Sequence, residues 1–296
     1  MSKAKIAVIG IPGKWSTEVL ADAIEQRTGF RRVIDMAGVS ADLQKGRLLY
    51  EGEDLCELDG LAVKKISQEY RPDTLDRIEL LRLAERRGVR VFTSAEKIIR
   101  MIDRLGCTMT LNSGDIPMPP TRVTEDVEYA VAAIREFGSA VLKPLFSTKA
   151  RGMQLLHATQ PDAELYAQVL KFKHSNPVIY LQQKLDLFGR DYGMLFLGGK
   201  YLGSYARVAQ NNDWSTVIDK GGKYMAHYPD DATIALATKA QSLFKMDFTT
   251  VDVADTPAGP VVFEVSAFGG FKGAKEGLGL DVAELYADYM LREIEK

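Results

Sequence analysis

Short apolar runs alternating with helix-length amphipathic stretches occupy the first third of the chain. Lys5-Ile-Ala-Val-Ile-Gly10 reads as a buried strand, and Gly10-Ile-Pro-Gly13 turns it into a helix opening near Ser16 or Thr17, with Glu18 in its first turn. Strand-like Arg32-Val-Ile-Asp35 and apolar Gly60-Leu-Ala-Val63 follow, then a helix from about Thr74 to Arg87 stopped by Gly88, then strand Val89-Arg-Val-Phe92. This alternation predicts a small parallel sheet flanked by helices. One helix over about Glu96 to Leu105 comes next, before Gly114-Asp-Ile-Pro-Met-Pro-Pro120 interrupts regular structure. A domain boundary is expected just before that helix, separating residues 1–95 from 96–296.

The second part has a different texture. A helix over Glu125 to Phe137 is expected after Thr124 as N-cap, ending at Gly138. Strand Ala140-Val-Leu-Lys143, a polar loop from Ser147 to Gly152, strand Met153-Gln-Leu-Leu156, a helix from Pro161 to about Lys173 and strand Val178-Ile-Tyr-Leu-Gln182 make a compact β-loop-β-α-β unit. Met194–Leu197 and Tyr201–Tyr205 form a hairpin around Gly198-Gly199, because paired glycines accept the positive φ angles of a tight turn. Thr249–Ala254 and Pro260–Val265 form a second hairpin, and a last helix starts near Asp281. No internal repeat is visible. The fold class is mixed α/β (α+β), a parallel N-terminal layer followed by antiparallel sheets.

Composition narrows the chemistry. The 296 residues carry 38 basic and 40 acidic side chains, a net charge of −2, so no global field exists to hold a nucleic-acid backbone or an anionic membrane. Two cysteines are too few for a disulfide framework, which suits a reducing cytoplasm, and neither a signal peptide nor an apolar membrane span is expected. His157, His174 and His227 stand at no ligand-like spacing, so any metal should be held by carboxylates.

Three constellations carry candidate chemistry. Gly10-Ile-Pro-Gly13-Lys14-Trp15-Ser16 lacks the spacing of a P-loop and of a dinucleotide fingerprint, which leaves a tight turn into a helix or a substrate-facing loop. A turn centred near residue 258 sets Asp252 and Glu264 about opposite each other on one sheet face. Opposed carboxylates suit a hard cation such as magnesium, the alternative being a wet face with the charges splayed apart. Lys143, Lys149 and Arg151 surround a small-residue loop that is either a phosphate cover or an ordinary surface loop. The basic pairs Arg31-Arg32, Lys64-Lys65 and Arg86-Arg87 are expected on solvated faces. No Gly-x-Ser-x-Gly elbow or Cys-His partnership is present, which disfavours covalent catalysis by the protein.

A Lys-ending strand, a glycine-containing loop, a Gln-rich strand and a carboxylate hairpin, in that order, resemble the ATP-grasp superfamily and within it the ribosomal-protein S6 modification ligases. Lys-Pro-Leu-Phe-Ser-Thr-Lys-Ala-Arg-Gly and Glu-Val-Ser-Ala-Phe-Gly-Gly-Phe resemble the GAK-system ATP-grasp enzyme subgroup. The resemblance covers roughly residues 95 to 296. It implies an ATP-grasp fold with an N-terminal pre-ATP-grasp domain, a lid at about 138 to 184 and a C-terminal antiparallel subdomain. It further implies phosphate contacts from Arg104, Lys143 and the lid residues Ser147, Thr148, Lys149, Arg151 and Gly152. Gln182, Gln183, Lys184 and Leu185 would form an adenine-reading hinge, with Asp191 near the ribose. Arg207 would stabilise the transferring phosphoryl group, beside Lys220 in Lys220-Gly221-Gly222. Asp252, Glu264 and Ser266 would hold magnesium, or manganese. Three positions depart from the family pattern: Ser266 and Val217 replace Asn, and Gly193 replaces Arg.

The resemblance therefore implies an ATP-dependent carboxylate–amine or carboxylate–thiol ligase working through an acyl phosphate. The departures leave two alternatives, a catalytically lapsed ATP-binding regulatory subunit and a kinase that stops at phosphorylation. The expected partners are ATP and a carboxylate substrate with a nucleophilic acceptor, entering over Gly10 to Ser16 and Gly269 to Lys272. Neither nucleic acid nor membrane is expected, and family habit suggests a cytoplasmic homo-oligomer, dimer or tetramer.

Overall fold

In a computed structural model that describes residues 4–147, 150–209 and 222–296, the apolar N-terminal runs pair as a four-stranded parallel sheet. The chain opens with β1 (Ile6–Ile9), α1 (Trp15–Thr28) and β2 (Val33–Ile34). A small antiparallel sheet of β3 (Ser40–Asp42), β4 (Arg47–Tyr50) and β5 (Glu53–Asp54) follows, which the sequence pattern did not predict. Then β6 (Gly60–Val63), α2 (Asp73–Arg86) and β7 (Arg90–Phe92) complete the first sheet in the order β2-β1-β6-β7. The run of β1 is apolar at every position because both faces are covered: Ile6 and Val8 join one apolar cluster, Ala7 and Ile9 another.

The single helix expected over Glu96 to Leu105 is instead two, α3 (Ala95–Ile102) and α4 (Arg104–Ser113). Asp103 leaves helical geometry and its Oδ1 accepts a hydrogen bond from the Gly106 amide at 2.7 Å, so it caps a new helix whose first residue is Arg104. The next layer comprises β8 (Thr121–Thr124), α5 (Val127–Phe137), β9 (Ser139–Leu142), β10 (Gln154–His157), α6 (Asp162–Ser175) and β11 (Ile179–Gln183). Its antiparallel sheet runs β10-β9-β11-β8, and both helices pack on it around a separate core that includes Ile134, Leu142, Leu165 and Phe172. Asp126, not Thr124, caps α5: Thr124 is held in the ladder opposite Ile179, while Asp126 Oδ1 accepts from the Tyr129 amide.

The last part contains β12 (Arg190–Leu197), β13 (Lys200–Val208), β14 (Lys223–His227), α7 (Asp231–Ser242), β15 (Phe248–Thr256), β16 (Gly259–Val265), α8 (Phe271–Leu278) and α9 (Val282–Ile294). The strands form an antiparallel sheet in the order β14-β13-β12-β15-β16. Gly198 and Gly199, at φ 56° and 78°, make the expected tight turn between β12 and β13.

One irregularity positions the chemistry. Thr256 pairs with Gly259, Asp255 with Pro260, Ala254 with Val261 and Val253 with Val262. Continued regularly, that register would set Asp252 against Phe263 and send Glu264 to the opposite face. A bulge next to Asp252 absorbs Phe263 instead, so that Asp252 pairs with Glu264.

Replacing Asp103 by Ala should cost about 1 kcal/mol of stability in urea denaturation, with Asp103→Ser restoring most of it, because a hydroxyl can still accept from the Gly106 amide.

Candidate active site

Asp252 and Glu264 face each other across the β15–β16 ladder, and an arginine meets each from a different direction. Arg207 Nη2 lies 3.1 Å from Asp252 Oδ1, while the rest of the same guanidinium forks onto Asp191, its cross-strand partner, with Nε 3.1 Å from both carboxylate oxygens. Arg104 Nη1 lies 3.2 Å from Glu264 Oε2. Arg104 also donates from Nη2 to Ser147 Oγ at 3.4 Å and from Nε to the Pro144 carbonyl at 3.3 Å. The result is one charge-alternating chain, Asp191–Arg207–Asp252 beside Glu264–Arg104–Ser147, assembled from α4, the loop after β9 and four strands.

Burial alone opposes the Arg207 charge, but Asp191 and Asp252 overcome it and hold the guanidinium firmly protonated. Burial pushes the Asp252 carboxyl up to about 7, Arg207 opposes the shift, and repulsion from Asp191 and Glu264 adds to it. Two carboxylates on adjoining strands are the donor chemistry a hard divalent cation prefers. Among the described residues no three His, Cys, Asp or Glu side chains gather as a metal-binding group. Ser266, one residue past the end of β16, continues the ladder through its amide to the Thr250 carbonyl at 2.9 Å.

Lys143 closes the other wall at 8% exposure. Its Nζ donates to Gln182 Oε1 at 2.5 Å and stands 5.2 Å from the ring centre of Phe263, the residue expelled by the bulge. Gln182 Nε2 continues to Tyr180 Oη at 2.9 Å, itself 2.9 Å from Thr108 Oγ1 on α4. Burial and the Arg104 charge lower the Lys143 amine to about 7, with Glu264 opposing. In the adjoining hinge the amides of Gln183 and Lys184 donate to the carbonyls of Pro120 and Ser139. Among the described residues the Leu185 amide makes no backbone hydrogen bond. Gly152 takes a left-handed φ of 72° against Pro144, and Arg151 is exposed. Thr148, Lys149, Val217 and Lys220 lie outside the described residues.

Two features escaped the sequence reading. A Cβ on Gly193 would stand 2.3 Å from Tyr205 Cζ, one on Gly273 2.4 Å from the same atom, and one on Gly277 2.8 Å from Tyr205 Cβ. The Tyr205 ring thus lies in a glycine slot and fills the place where an arginine side chain at position 193 would begin; the only sequence signal is the Gly273/Gly277 pair, one helical turn apart. Lys64, expected on a solvated face, is 6% exposed, because the carboxyl end of β6 runs beneath the loop that follows β16. Its Nζ donates to the Gly269 carbonyl at 2.7 Å.

A family model of the RimK-like ATP-grasp domain matches residues 101–290, more than half of the chain. The chain belongs to the RimK-like ATP-grasp family. It is 24% identical to tetrahydromethanopterin:alpha-L-glutamate ligase of Methanosarcina acetivorans, over 98% of this chain and 99% of that protein. It is 27% identical to a probable alpha-L-glutamate ligase of Methanococcoides burtonii, over 97% and 95%. In fold it is similar to the ATP-grasp ligase PsnB, solved with a phosphomimetic variant of its minimal precursor, Mg and ADP, at a TM-score of 0.77 and 17% identity over the whole of both chains. A RimK domain protein from Sphaerobacter thermophilus gives a TM-score of 0.74 at 22% identity, over 97% of this chain and 99% of that one. The expected ATP-grasp fold and ligase class both hold at family level. Among the described residues no helix is long and apolar enough to cross a membrane.

Gly193→Ala should lower stability by about 1–3 kcal/mol in thermal or urea unfolding, since the new methyl overlaps a buried ring. Combining it with Tyr205→Ala should relieve most of that clash; a Gly193→Ala protein as stable as the parent would remove the slot.

Proposed function

We propose that this ATP-grasp ligase joins a carboxylate to an amine through an acyl phosphate, using magnesium-ATP. The observation that carries the reading is the opposed pair Asp252 and Glu264, flanked by Arg207 and Arg104 in the cleft where the hinge, Lys143 and the C-terminal sheet meet. Asp252, Glu264 and Ser266 would hold magnesium, which when bound would neutralise phosphate charge. The Leu185 amide orients the base, and Arg104, Lys143 and Arg207 hold the phosphates in line. A substrate carboxylate oxygen attacks the terminal phosphorus and ADP leaves; the acceptor amine then attacks the acyl carbon, phosphate leaves and the amine releases a proton. Positioning and fixed charge do the catalytic work, since no protein nucleophile is required. The names of the relatives support an amino acid of the glutamate type as one reactant. The unpaired Cys56 and Cys107 are compatible with a cytoplasmic setting.

Gamma-labelled ATP, magnesium and pools of amino acids and peptides test the reading. A ligase yields ADP, free phosphate and a new amide in equal amounts. A stable phosphorylated product would point to a kinase, and nucleotide binding without turnover to a regulatory subunit. Removing a transition-state charge at Arg207, by Arg207→Met, or a metal donor, by Glu264→Ala, should lower turnover by about 10²–10³. Wild-type turnover in Glu264→Ala would end the metal assignment.

A further inference from the structure

An ammonium group withdrawn from water carries a large desolvation cost, and lysines buried as deeply as Lys64 are uncommon unless paired. Lys64 follows β6 directly, and its amide and that of Lys65 donate to the Ile9 carbonyl at the end of β1, at 2.8 and 3.1 Å. The chain leaves β1 for β2 on one side and returns to β6 on the other. The carboxyl ends of β1 and β6 therefore flank the switch point of the parallel sheet, the crevice in which open α/β sheets take ligands.

The residues around the amine are few. Gly269 supplies one carbonyl at 2.7 Å, and the Phe271 ring centre at the start of α8 lies 4.3 Å away. Among the described residues no carboxylate pairs with Lys64, and Lys65 is the one charged group whose field reaches it, with the same sign. Two of the three ammonium hydrogens are left without a protein acceptor among those residues. The loop that accepts the first begins two residues beyond Glu264. The five peptide units from Glu264 to Gly269 span at most about 18 Å, so the carbonyl that accepts from Lys64 is tethered to the strand that carries the acidic pair. The Tyr205 hydroxyl flanks the same segment, 3.5 Å from where a Cβ on Gly270 would be.

We propose that Lys64 is the anion-reading residue of the acceptor pocket, binding a carboxylate or phosphate group carried by the nucleophilic substrate and so setting its amine toward the cleft. The naming of that ligand as the acceptor rests on the ligase reading; the anion site itself does not. Burial first, and then Lys65, lower the amine to about 7, so an arriving anion restores a charge that burial disfavours and draws a proton from solution.

Titration calorimetry of the full chain with glutarate, and separately with inorganic phosphate, tests this with and without a non-hydrolysable ATP analogue. Two buffers of different ionisation enthalpy report the protons exchanged. Glutarate binding should take up most of one proton at pH 8.5 and much less at pH 6.5, with affinity falling roughly twentyfold between them, whereas phosphate, which itself loses a proton across this range, is compared at pH 8.5 alone. Glutarate binding alone identifies a carboxylate acceptor, phosphate binding alone a phosphorylated one. Lys64→Met, which keeps the apolar stem, should abolish probe binding, and Lys64→Arg should retain it without the proton uptake. No binding of either probe, binding without proton uptake, or unchanged binding in Lys64→Met would each overturn the proposal. Failure of the ligase reading would show separately, in the absence of amide formation from ATP.

Discussion

Two carboxylates set directly opposite one another on adjoining strands repel, by about 3 kcal/mol at 5 Å in an effective dielectric of ~20. Asp252 and Glu264 hold that arrangement because Arg207 approaches one and Arg104 the other. Neither arginine is local: Arg207 stands on β13, beyond β12, and Arg104 opens a helix between the parallel sheet and the middle layer. The site is electrically balanced only once those layers have come together. The carboxylates give Arg104 and Arg207 partners in a partly buried cleft, and the arginines permit the carboxylates to face the same way. Burial still holds the Asp252 carboxyl up at about 7, with Arg207 opposing and Asp191 and Glu264 adding to the shift.

Much of this was legible in the residue pattern. The strands of the parallel sheet announced themselves as unbroken apolar runs because both faces are covered, and the β12–β13 turn followed from Gly198-Gly199. The face-to-face placement of Asp252 and Glu264 followed from counting along a hairpin, yet the physical route to it did not. The real turn is tighter than the count assumed, and the bulge at Phe263 restores the pairing. A bulge has no reliable signature in one sequence, since the strand on either side reads the same with or without it.

The elements missed share a cause: their stability is tertiary. Helix α8 contains Gly273 and Gly277, poor helix formers in isolation, and it exists because those glycines let it close onto Tyr205. The break at Asp103 required knowing that the Gly106 amide would need a side-chain acceptor. Lysine side chains usually face water, and only the folded chain brings the loop after β16 down over Lys64.

The departure at Gly193 connects these points. An arginine there would point from the strand face that also carries Arg207 and Asp252; this chain instead has a glycine and lets Tyr205 occupy the space. That exchange removes a positive charge from one wall of the pocket and leaves an aromatic ring with a hydroxyl. Across the Gly269–Gly270 segment, the opposite wall holds the Lys64 amine. Positive charge absent from the C-terminal sheet at position 193 is thus present on the N-terminal one at Lys64. A single substitution restoring Arg at position 193 would meet the Tyr205 ring before it reached a ligand. Tyr205 and Gly193 therefore have to be treated as a pair whenever the pocket is compared with its relatives.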